Sequence, residues 1–245
     1  LVGVGGAGNG ASAILAAGTE EQKQEFIPRL ISGERSLALG FTEPRGGADL
    51  ASLQCRAVRD GDFYVINGQK TFTSSAHTAT HIYLMARTDP ESSPPHRGIS
   101  IFIFPMDTAG ITVRPLWSIQ NDPPPPMGTT YGFRRTNETF FEDVKVPRTT
   151  LLGEENRGWY VGAMALNLDR VGAWRYLISV HMDEYIVNWV KENTLDGYSL
   201  LDDPTVRDKL AEMWIEAQVC RLMTMRSMSI MGRGLDFTYE GSAEK

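Results

Sequence analysis

The hydrophobic pattern changes period twice along the chain, and this divides it into three regions. An amphipathic helical pattern comes first, short runs typical of strands extend from about Leu53 to Val146, and a helical period returns after Gly158. Helices and strands segregated in this way predict an α+β fold.

The first region contains a helix start signal at Thr19. The sequence Thr19-Glu20-Glu21-Gln22 is a capping box, in which the side chains of Thr19 and Gln22 satisfy each other's backbone amides. The helix EEQKQEFIPRLIS that follows is expected to break at Pro28. Its period places three apolar residues inward: Phe26, Leu30 and Ile31.

The central region predicts many short strands joined by tight turns. Residues 36–41 form a short apolar run, and the pairs Asp60-Gly61 and Asn67-Gly68 are typical of two-residue hairpin turns. Three further runs and residues 139–147 continue the series: HIYLMART, GISIFIFP and GITVRPL. The spacing favours an antiparallel β-barrel or sandwich.

Two long helices are predicted in the last region, the second of them after Asp203-Pro204-Thr205. One apolar stripe runs through Trp159, Ala163, Leu166, Ala173, Leu177 and Val180 and continues to about Val190. The other stripe consists of Val206, Leu210, Met213, Ala217 and Cys220.

Composition narrows the class of protein. The formal net charge of −6 over 245 residues argues against a nucleic-acid-binding protein, and no apolar run is long enough for a membrane span. Cys55, Cys220 and the 4 histidines lack metal-ligand spacing, so no metal site is predicted. The missing initiator Met and the absence of a helix stop signal at Lys245 suggest a fragment of a longer protein.

The opening glycines match a nucleotide-binding motif in their letters only. Gly3 to Gly8 fit G-x-G-x-x-G, but no preceding strand is seen and no βαβ unit follows. Small residues that let a helix end approach its neighbours explain this pattern more simply.

Two central stretches carry the residue types that a flat cofactor needs. In residues 39–52, a strand ends at Thr42 and a glycine turn exposes backbone amides suited to a pyrophosphate. In residues 68–76, alternation places Phe72 and Ser74 on one face, an aromatic ring beside a hydroxyl. The alternatives are a plain loop corner in which Glu43 and Asp49 cap amides, and an ordinary half-buried strand.

A third stretch, Leu166-Asn167-Leu168-Asp169-Arg170, places charge near the apolar stripe of the first long helix. A carboxylate held there would lose solvation and become more basic. The alternative is a solvated helix edge.

Taken together, these motifs resemble the acyl-CoA dehydrogenase family. Five stretches carry the resemblance, in the family's order and through nearly the whole chain: GTEEQKQEF-IPRLISGE, the Thr-Glu-Pro-x-Gly-Gly-x-Asp stretch, NGQKTFTSSA, TNETFFEDVKVP and LLGEENRGW. The resemblance implies the end of an N-terminal helical domain at 1–36, a middle β-domain at 37–150 and the first part of a C-terminal helical bundle at 151–245.

The resemblance also implies a site for FAD and an acyl-CoA. The residues that match the family's flavin contacts are Leu39, Phe41, Thr42, Gly47, Ala48, Phe72, Thr73 and Ser74. Ala48 and Arg170 match positions near the acyl-CoA. Ala48 stands where the family usually has Ser or Thr, so a hydroxyl contact is lost.

The family reaction needs a base for the α-proton of the thioester, and two positions are open. Asp169 occupies the place of a Glu on the first long helix, one methylene shorter. The other position is a Glu beyond residue 245.

The implied activity is acyl-CoA dehydrogenation in fatty-acid β-oxidation, with electrons passed to electron-transferring flavoprotein. An oxidase of the same fold and a non-catalytic partner subunit are the alternatives. The resemblance further implies a homodimer, homotetramer or heteromer in the cytoplasm, or in the mitochondrial matrix of a eukaryote.

Overall fold

The computed structural model describes the backbone of residues 4–116, 136–170 and 173–235, and the side chains of residues 8–116, 136–166 and 178–235. Contacts divide the chain into two units, Leu1–Leu166 and Asn167–Lys245. The proline tract at 122–126 and the last ten residues lie outside the described part.

Two helices precede the sheet, α1 (Val4–Ala17) and α2 (Glu20–Ser32). The capping box of Thr19 and Gln22 is confirmed, because each side chain bonds the other residue's backbone N–H. Phe26 and Leu30 are buried as predicted.

Two predictions for α2 are wrong. Ile31 is 81% exposed, because it lies beyond the narrow apolar stripe of the helix. Pro28 lies inside α2 and does not end it. Pro28 and Gln24 are both exposed, so water can solvate the carbonyl that loses its donor.

Gly5, Gly6 and Gly8 belong to α1, whose backbone is helical from Val4 onwards. A nucleotide fingerprint requires a strand and a turn at this point. Gly10, which follows the motif, approaches Leu37 so closely that a Cβ would clash with its side chain, whereas a Cβ added at Gly8 would meet no atom within 4 Å. Close packing is therefore seen at Gly10 and not at the last glycine of the motif.

Eight strands form one mixed sheet in the first unit, in the order β6-β7-β3-β2-β4-β5-β8, with β1 also pairing with β4. The strands are β1 (Leu37–Gly40), β2 (Arg56–Asp60), β3 (Phe63–Lys70), β4 (His81–Arg87), β5 (Ile99–Pro105), β6 (Ile111–Pro115), β7 (Asn137–Pro147) and β8 (Leu151–Leu152). The predicted runs are confirmed as strands.

The sheet differs from the antiparallel expectation, since β1 and β2 both pair with β4 in parallel. It curls so that β3 and β7 pack over β5, with ring centroids 4.9 Å apart for Tyr64 and Phe102 and 6.5 Å apart for Phe104 and Phe141. The described strands form a sandwich-like layer and no closed barrel. The α+β class is confirmed.

Of the two predicted hairpin turns, one is confirmed. Asp60 pairs with Phe63 as the last residue of β2, so the two-residue loop is Gly61-Asp62, one position later than predicted, and Gly61 has a φ of 59°. Asn67-Gly68 instead lies within β3, opposite a bulge in β7, where Glu142 and Asp143 together oppose Asn67. Gly68 has a φ of 148°, and its Cα faces Cys55, where a Cβ would lie 2.7 Å from the Cys55 Cα.

The strand β4 is buried on both faces, and its alternate residues serve two cores. Ile82 and Leu84 join the core between the curled parts of the sheet, whereas Tyr83 and Met85 face α1 and α2. Because β1 pairs with β4, the strand beside β1 is packed with side chains on both of its faces.

Helix α3 (Gly158–Arg170) crosses the division between the units. The second unit contains α4 (Ala173–Glu192), a short hairpin of β9 (Thr194–Leu195) with β10 (Tyr198–Ser199), and α5 (Pro204–Gly232), which Asp203 caps. The predicted stripe of α5 is buried or half-buried, as expected. None of the helices in the described ranges combines the length and hydrophobicity required to cross a membrane.

Candidate functional site

The first part of the candidate site is the end of β1 and the turn that follows it. Leu39, Phe41 and Thr42 are half-buried, and the Phe41 ring packs edge-on against Tyr83 at 5.4 Å. Glu43 and Gly46 exchange two backbone hydrogen bonds of 3.2 and 3.1 Å, which closes the turn tightly.

Glu43 anchors this turn from inside. Its carboxylate accepts hydrogen bonds from the backbone N–H groups of Gln54 and Cys55, at 2.6 and 2.9 Å. The interpretation of Glu43 as an amide cap is therefore correct. Asp49, the other proposed cap, makes no such bond to the short 3₁₀ turn that it precedes.

Lys70, the last residue of β3, completes the anchor. Its side chain is fully buried, and Nζ donates to a Glu43 carboxylate oxygen at 2.8 Å and to the Phe41 carbonyl at 3.0 Å. A buried carboxylate requires such a partner. This pair ties the turn after β1 to the end of β3.

The second part of the site is the segment Thr71–Ser74, directly after β3. Phe72 and Ser74 are exposed, whereas Thr71, which precedes Phe72, and Thr73, which separates the two, are buried. Phe72 is 60% exposed and has a φ of 55°, which a bulky residue adopts only when its surroundings impose it. The segment therefore presents an aromatic ring and a hydroxyl from a constrained backbone.

The two parts meet at Thr42. The N–H of Thr71 donates to the Thr42 carbonyl at 2.9 Å. Gly47 also lies against Thr42, since a Cβ added at Gly47 would be 3.1 Å from the Thr42 methyl carbon. The structure thus brings together the stretches that the sequence places about 30 residues apart.

The turn leaves donors available for a ligand. In the part of the chain that the structure describes, no protein acceptor pairs with the backbone N–H groups of Gly47 and Ala48. Both residues are exposed. Arg87 holds the loop that follows, since its guanidinium donates to the carbonyls of Ala51 and Leu53 at 2.6 and 2.9 Å.

These residues fit a flat, phosphate-bearing cofactor. An exposed ring offers a stacking surface, the Ser74 and Thr42 hydroxyls can bond a polar ring edge, and the free amides of the turn suit a phosphate.

Cys55, behind the turn, is not a reactive thiol, because burial raises its pKa to about 11. Within the described ranges, no cluster of three or more His, Cys, Asp or Glu side chains could hold a metal ion.

Asp169 and Arg170 are not placed at this edge by the structure. Their backbone belongs to α3, but their side chains lie outside the described residues. They also fall in the second unit, whereas the strand-end residues belong to the first.

Sequence reasoning missed two residues that build the site, Lys70 and Asn137. Asn137 is buried at the start of β7 and contacts Thr73 through both its backbone and its side chain. The sequence does contain an indication of a residue such as Lys70. Glu43 closely follows a buried strand, and a buried carboxylate needs a cation or several hydrogen-bond donors.

Helices on one side of a curled mixed sheet define an α+β protein, and an aromatic ring, hydroxyls and backbone amides lie together at one strand-end edge of that sheet. The chain matches the family descriptions "Acyl-CoA dehydrogenase, middle domain" at residues 38–144 and "Acyl-CoA dehydrogenase, C-terminal domain" at residues 156–245. It belongs to the acyl-CoA dehydrogenase family, which is in general associated with flavin.

Individual relatives agree with this assignment. "Acyl-CoA dehydrogenase FadE29" of Mycobacterium tuberculosis (strain ATCC 25618 / H37Rv) is 35% identical over 232 residues, which are 94% of this chain and 56% of that protein. The crystal structure of an acyl-CoA dehydrogenase from Geobacillus kaustophilus superposes with a TM-score of 0.83 at 36% identity, covering 95% of this chain and 60% of that one.

A third similar structure is one chain of a complex of two proteins. A chain in the crystal structure of the ChsE4-ChsE5 complex from Mycobacterium tuberculosis has a TM-score of 0.80 and 32% identity, covering 97% of this chain and 58% of that one. This chain thus spans a little more than half the length of each of these relatives.

Proposed function

We propose that the protein containing this chain is an FAD-dependent acyl-CoA dehydrogenase. It oxidises the α,β-bond of an acyl-CoA thioester to the trans-2-enoyl-CoA and passes the electrons to electron-transferring flavoprotein. The observation that carries the proposal is the junction at Thr42, where the end of β1, the 46–48 turn and the Phe72–Ser74 segment meet. Family membership supports the same reaction.

In this proposal the strand-end edge holds the FAD. Phe72 packs against the flat ring system, and the hydroxyls of Thr42 and Ser74 bond its polar edge. The amides of Gly47 and Ala48 face the phosphates, with Leu39, Phe41 and Thr73 shaping the floor. Bound FAD supplies the acceptor for the hydride that leaves the β-carbon.

The chain's own chemistry is the removal of the α-proton. The α C–H of a thioester is a weak acid, so a base must stand close to it. Asp169 has this role in the proposal, and Arg170 beside it contacts the acyl-CoA, as does Ala48. The rival position for the base is a Glu beyond residue 245. An Asp side chain is one methylene shorter than Glu, and a misplacement of about 1 Å can cost about 100-fold in rate.

The domain boundaries and the assembly are part of the proposal. We place the domain changes after residues 36 and 150, which agrees with the start of the matched middle domain at residue 38. A homo-oligomer or a heteromer is expected. The similarity to a chain of the ChsE4-ChsE5 complex supports the heteromeric form.

The substitution Asp169→Asn in the full-length protein tests the reaction. An amide cannot accept the α-proton, so we expect the flavin absorbance to persist when an acyl-CoA is added without oxygen, while FAD stays bound. The wild-type protein should bleach. Asp183→Asn, a change of the same type on α4, is the matched control and should bleach normally.

Turnover retained in Asp169→Asn would move the base to the rival position. A wild-type protein that binds FAD and acyl-CoA but never bleaches would favour the second candidate, a non-catalytic partner subunit. Two departures from the family pattern favour this candidate: Ala48 in place of Ser or Thr, and Asp169 in place of Glu.

A further inference from the structure

Asn137, the first residue of β7, contacts the segment that carries Phe72 and Ser74. Its side chain is 1% exposed. Its backbone carbonyl accepts from the Thr73 N–H at 2.9 Å, and its side-chain Nδ2 donates to the Thr73 carbonyl at 3.2 Å. The same Nδ2 lies 3.2 Å from Nδ1 of His77.

The chemistry of these partners determines which way the Asn137 amide points. The Thr73 carbonyl can only accept, so the NH₂ end of the amide must face it. Nδ1 of His77 must then be the unprotonated, accepting nitrogen of its ring. Both hydrogens of the amide are used, on two acceptors four residues apart, and they close the loop 73–77.

This loop and the residue before it contain two strained positions. Phe72 has a φ of 55° and Ser75 a φ of 58°, both in the left-handed region that side chains disfavour. Phe72 stands between Thr71, bonded to Thr42, and Thr73, bonded to Asn137. Ser75 stands between the two residues that the Asn137 amide joins.

A strained backbone conformation persists only where contacts with the surrounding structure hold the residue in it. Without the Asn137 amide, the bond from the Thr73 N–H to the Asn137 backbone carbonyl would be the one link left between Thr73 and β7 among the described residues, and Phe72 could relax to a negative φ. Relaxation would turn the Phe72 ring and the Ser74 hydroxyl away from their present directions. Ser74 lies inside the loop that the amide closes, so its direction depends on the same bonds.

We propose that Asn137 is a positioning residue for the cofactor: its amide clips Thr73 to His77 and thereby holds Phe72 and Ser74 in the orientation that meets the flat ring. This inference rests on the proposed function, because it assigns the Phe72–Ser74 segment to the FAD.

The test compares Asn137→Ala and Asn137→Asp with the wild type in the full-length protein. Apoprotein is titrated with FAD by flavin fluorescence, and the visible absorption spectrum of the bound flavin is recorded. We expect FAD binding to weaken about tenfold, which corresponds to one or two lost hydrogen bonds. Asn137→Asp should bind more weakly still, since a carboxylate faces the Thr73 carbonyl without a donor.

Two control variants separate positioning from general stability. Thr139→Val lies two residues further along β7, is equally buried, and removes a hydroxyl that has no partner among the described residues. Ser100 on β5 is buried, and Ser100→Ala breaks its part-buried hydrogen bonds to Thr88 and Asn156, which should lower the melting temperature. Both should bind FAD with the wild-type affinity and flavin spectrum.

The outcomes distinguish this inference from the proposed function. A wild-type protein that binds no FAD overturns the proposed function and the inference with it. A flavin-binding wild type with an unchanged affinity and spectrum in Asn137→Ala overturns the inference alone. The inference is also overturned if Ser100→Ala and Asn137→Ala have the same melting temperature and lose the same affinity for FAD. Lower stability would then explain the weaker binding.

Discussion

At the scale of single residues, a buried ion pair organises the candidate site. Lys70 is fully buried and Glu43 is 7% exposed, and together they join the end of β1, the following loop and the end of β3. The pair is surrounded by protein, so neither charge can be solvated if the other is removed. The pair fixes the end of β1 against the end of β3.

We expect Lys70→Met to lower the free energy of unfolding by about 3–5 kcal/mol, because Glu43 would remain as an uncompensated buried carboxylate. Lys145→Met is the matched control. Lys145 pairs with Asp60 at 3.2 Å, but the two side chains are 53% and 64% exposed. Water screens such a pair, so the control should lose no more than about 1 kcal/mol.

Urea unfolding followed by circular dichroism measures both variants. Similar losses for Lys70→Met and Lys145→Met would show that burial does not set the strength of the inner pair.

At the scale of elements, a bulge in β7 opposite Asn67 changes the pairing between β3 and β7. The register between β3 and β7 shifts between Ile66 and Gly68. Because side chains alternate across a strand, a shift of one residue sends every later side chain to the opposite face. The extra residue is in β7, so Phe141 and Val144 are both buried although they are three residues apart, while Lys70 keeps the parity of the buried Tyr64 and Ile66 in β3. Reciprocal bonds between Asn67 and Asp143, both 2.9 Å, fasten the bulge.

Gly68→Ala should destabilise the protein by roughly 2–4 kcal/mol, because its Cβ would meet Cys55 in a well-packed core at a positive φ. Gly61→Ala provides the comparison, since Gly61 also has a positive φ but no atom stands within 4 Å of its added Cβ. That variant should lose about 1 kcal/mol. Thermal unfolding ranks the two, and an equal loss would mean that close packing at Cys55 is unimportant.

At the scale of the whole molecule, the second unit leaves large apolar side chains in water. Trp189 on α4 is 50% exposed, and Trp214 and Leu222 on α5 are 61% and 65% exposed. Where such side chains form one contiguous surface, that surface is uncommon on soluble monomers and marks a region that other protein covers.

The 245-residue chain expressed alone is therefore expected to enhance the fluorescence of the dye ANS and to sediment faster than a monomer. A double variant, Trp214→Glu with Leu222→Glu, should reduce both effects, because charge on the apolar face opposes dye binding and self-association. A monomeric chain without dye enhancement would show that the exposed residues form no contiguous surface.

The sequence by itself determined the elements, the class and the family. Period and turn residues are local, so the capping box at Thr19, the turn at Gly61 and the strands of the sheet could be predicted from neighbouring residues. Motifs in a fixed order carried the family resemblance, which the matched domains at 38–144 and 156–245 confirm. They also predict Thr42, Phe72 and Ser74 as contacts of a cofactor, which stays a prediction.

Only the tertiary structure decided what holds those residues in place. Lys70 meets Glu43 across 27 residues, and Asn137 meets Thr73 across 64. Which side chain meets which depends on strand order, on the shift at Gly68 and on burial, and none of these is encoded in a short window. The same reason explains why Asn67-Gly68 is not a hairpin turn: β7 pairs with β3 on both sides of it, which keeps the chain extended.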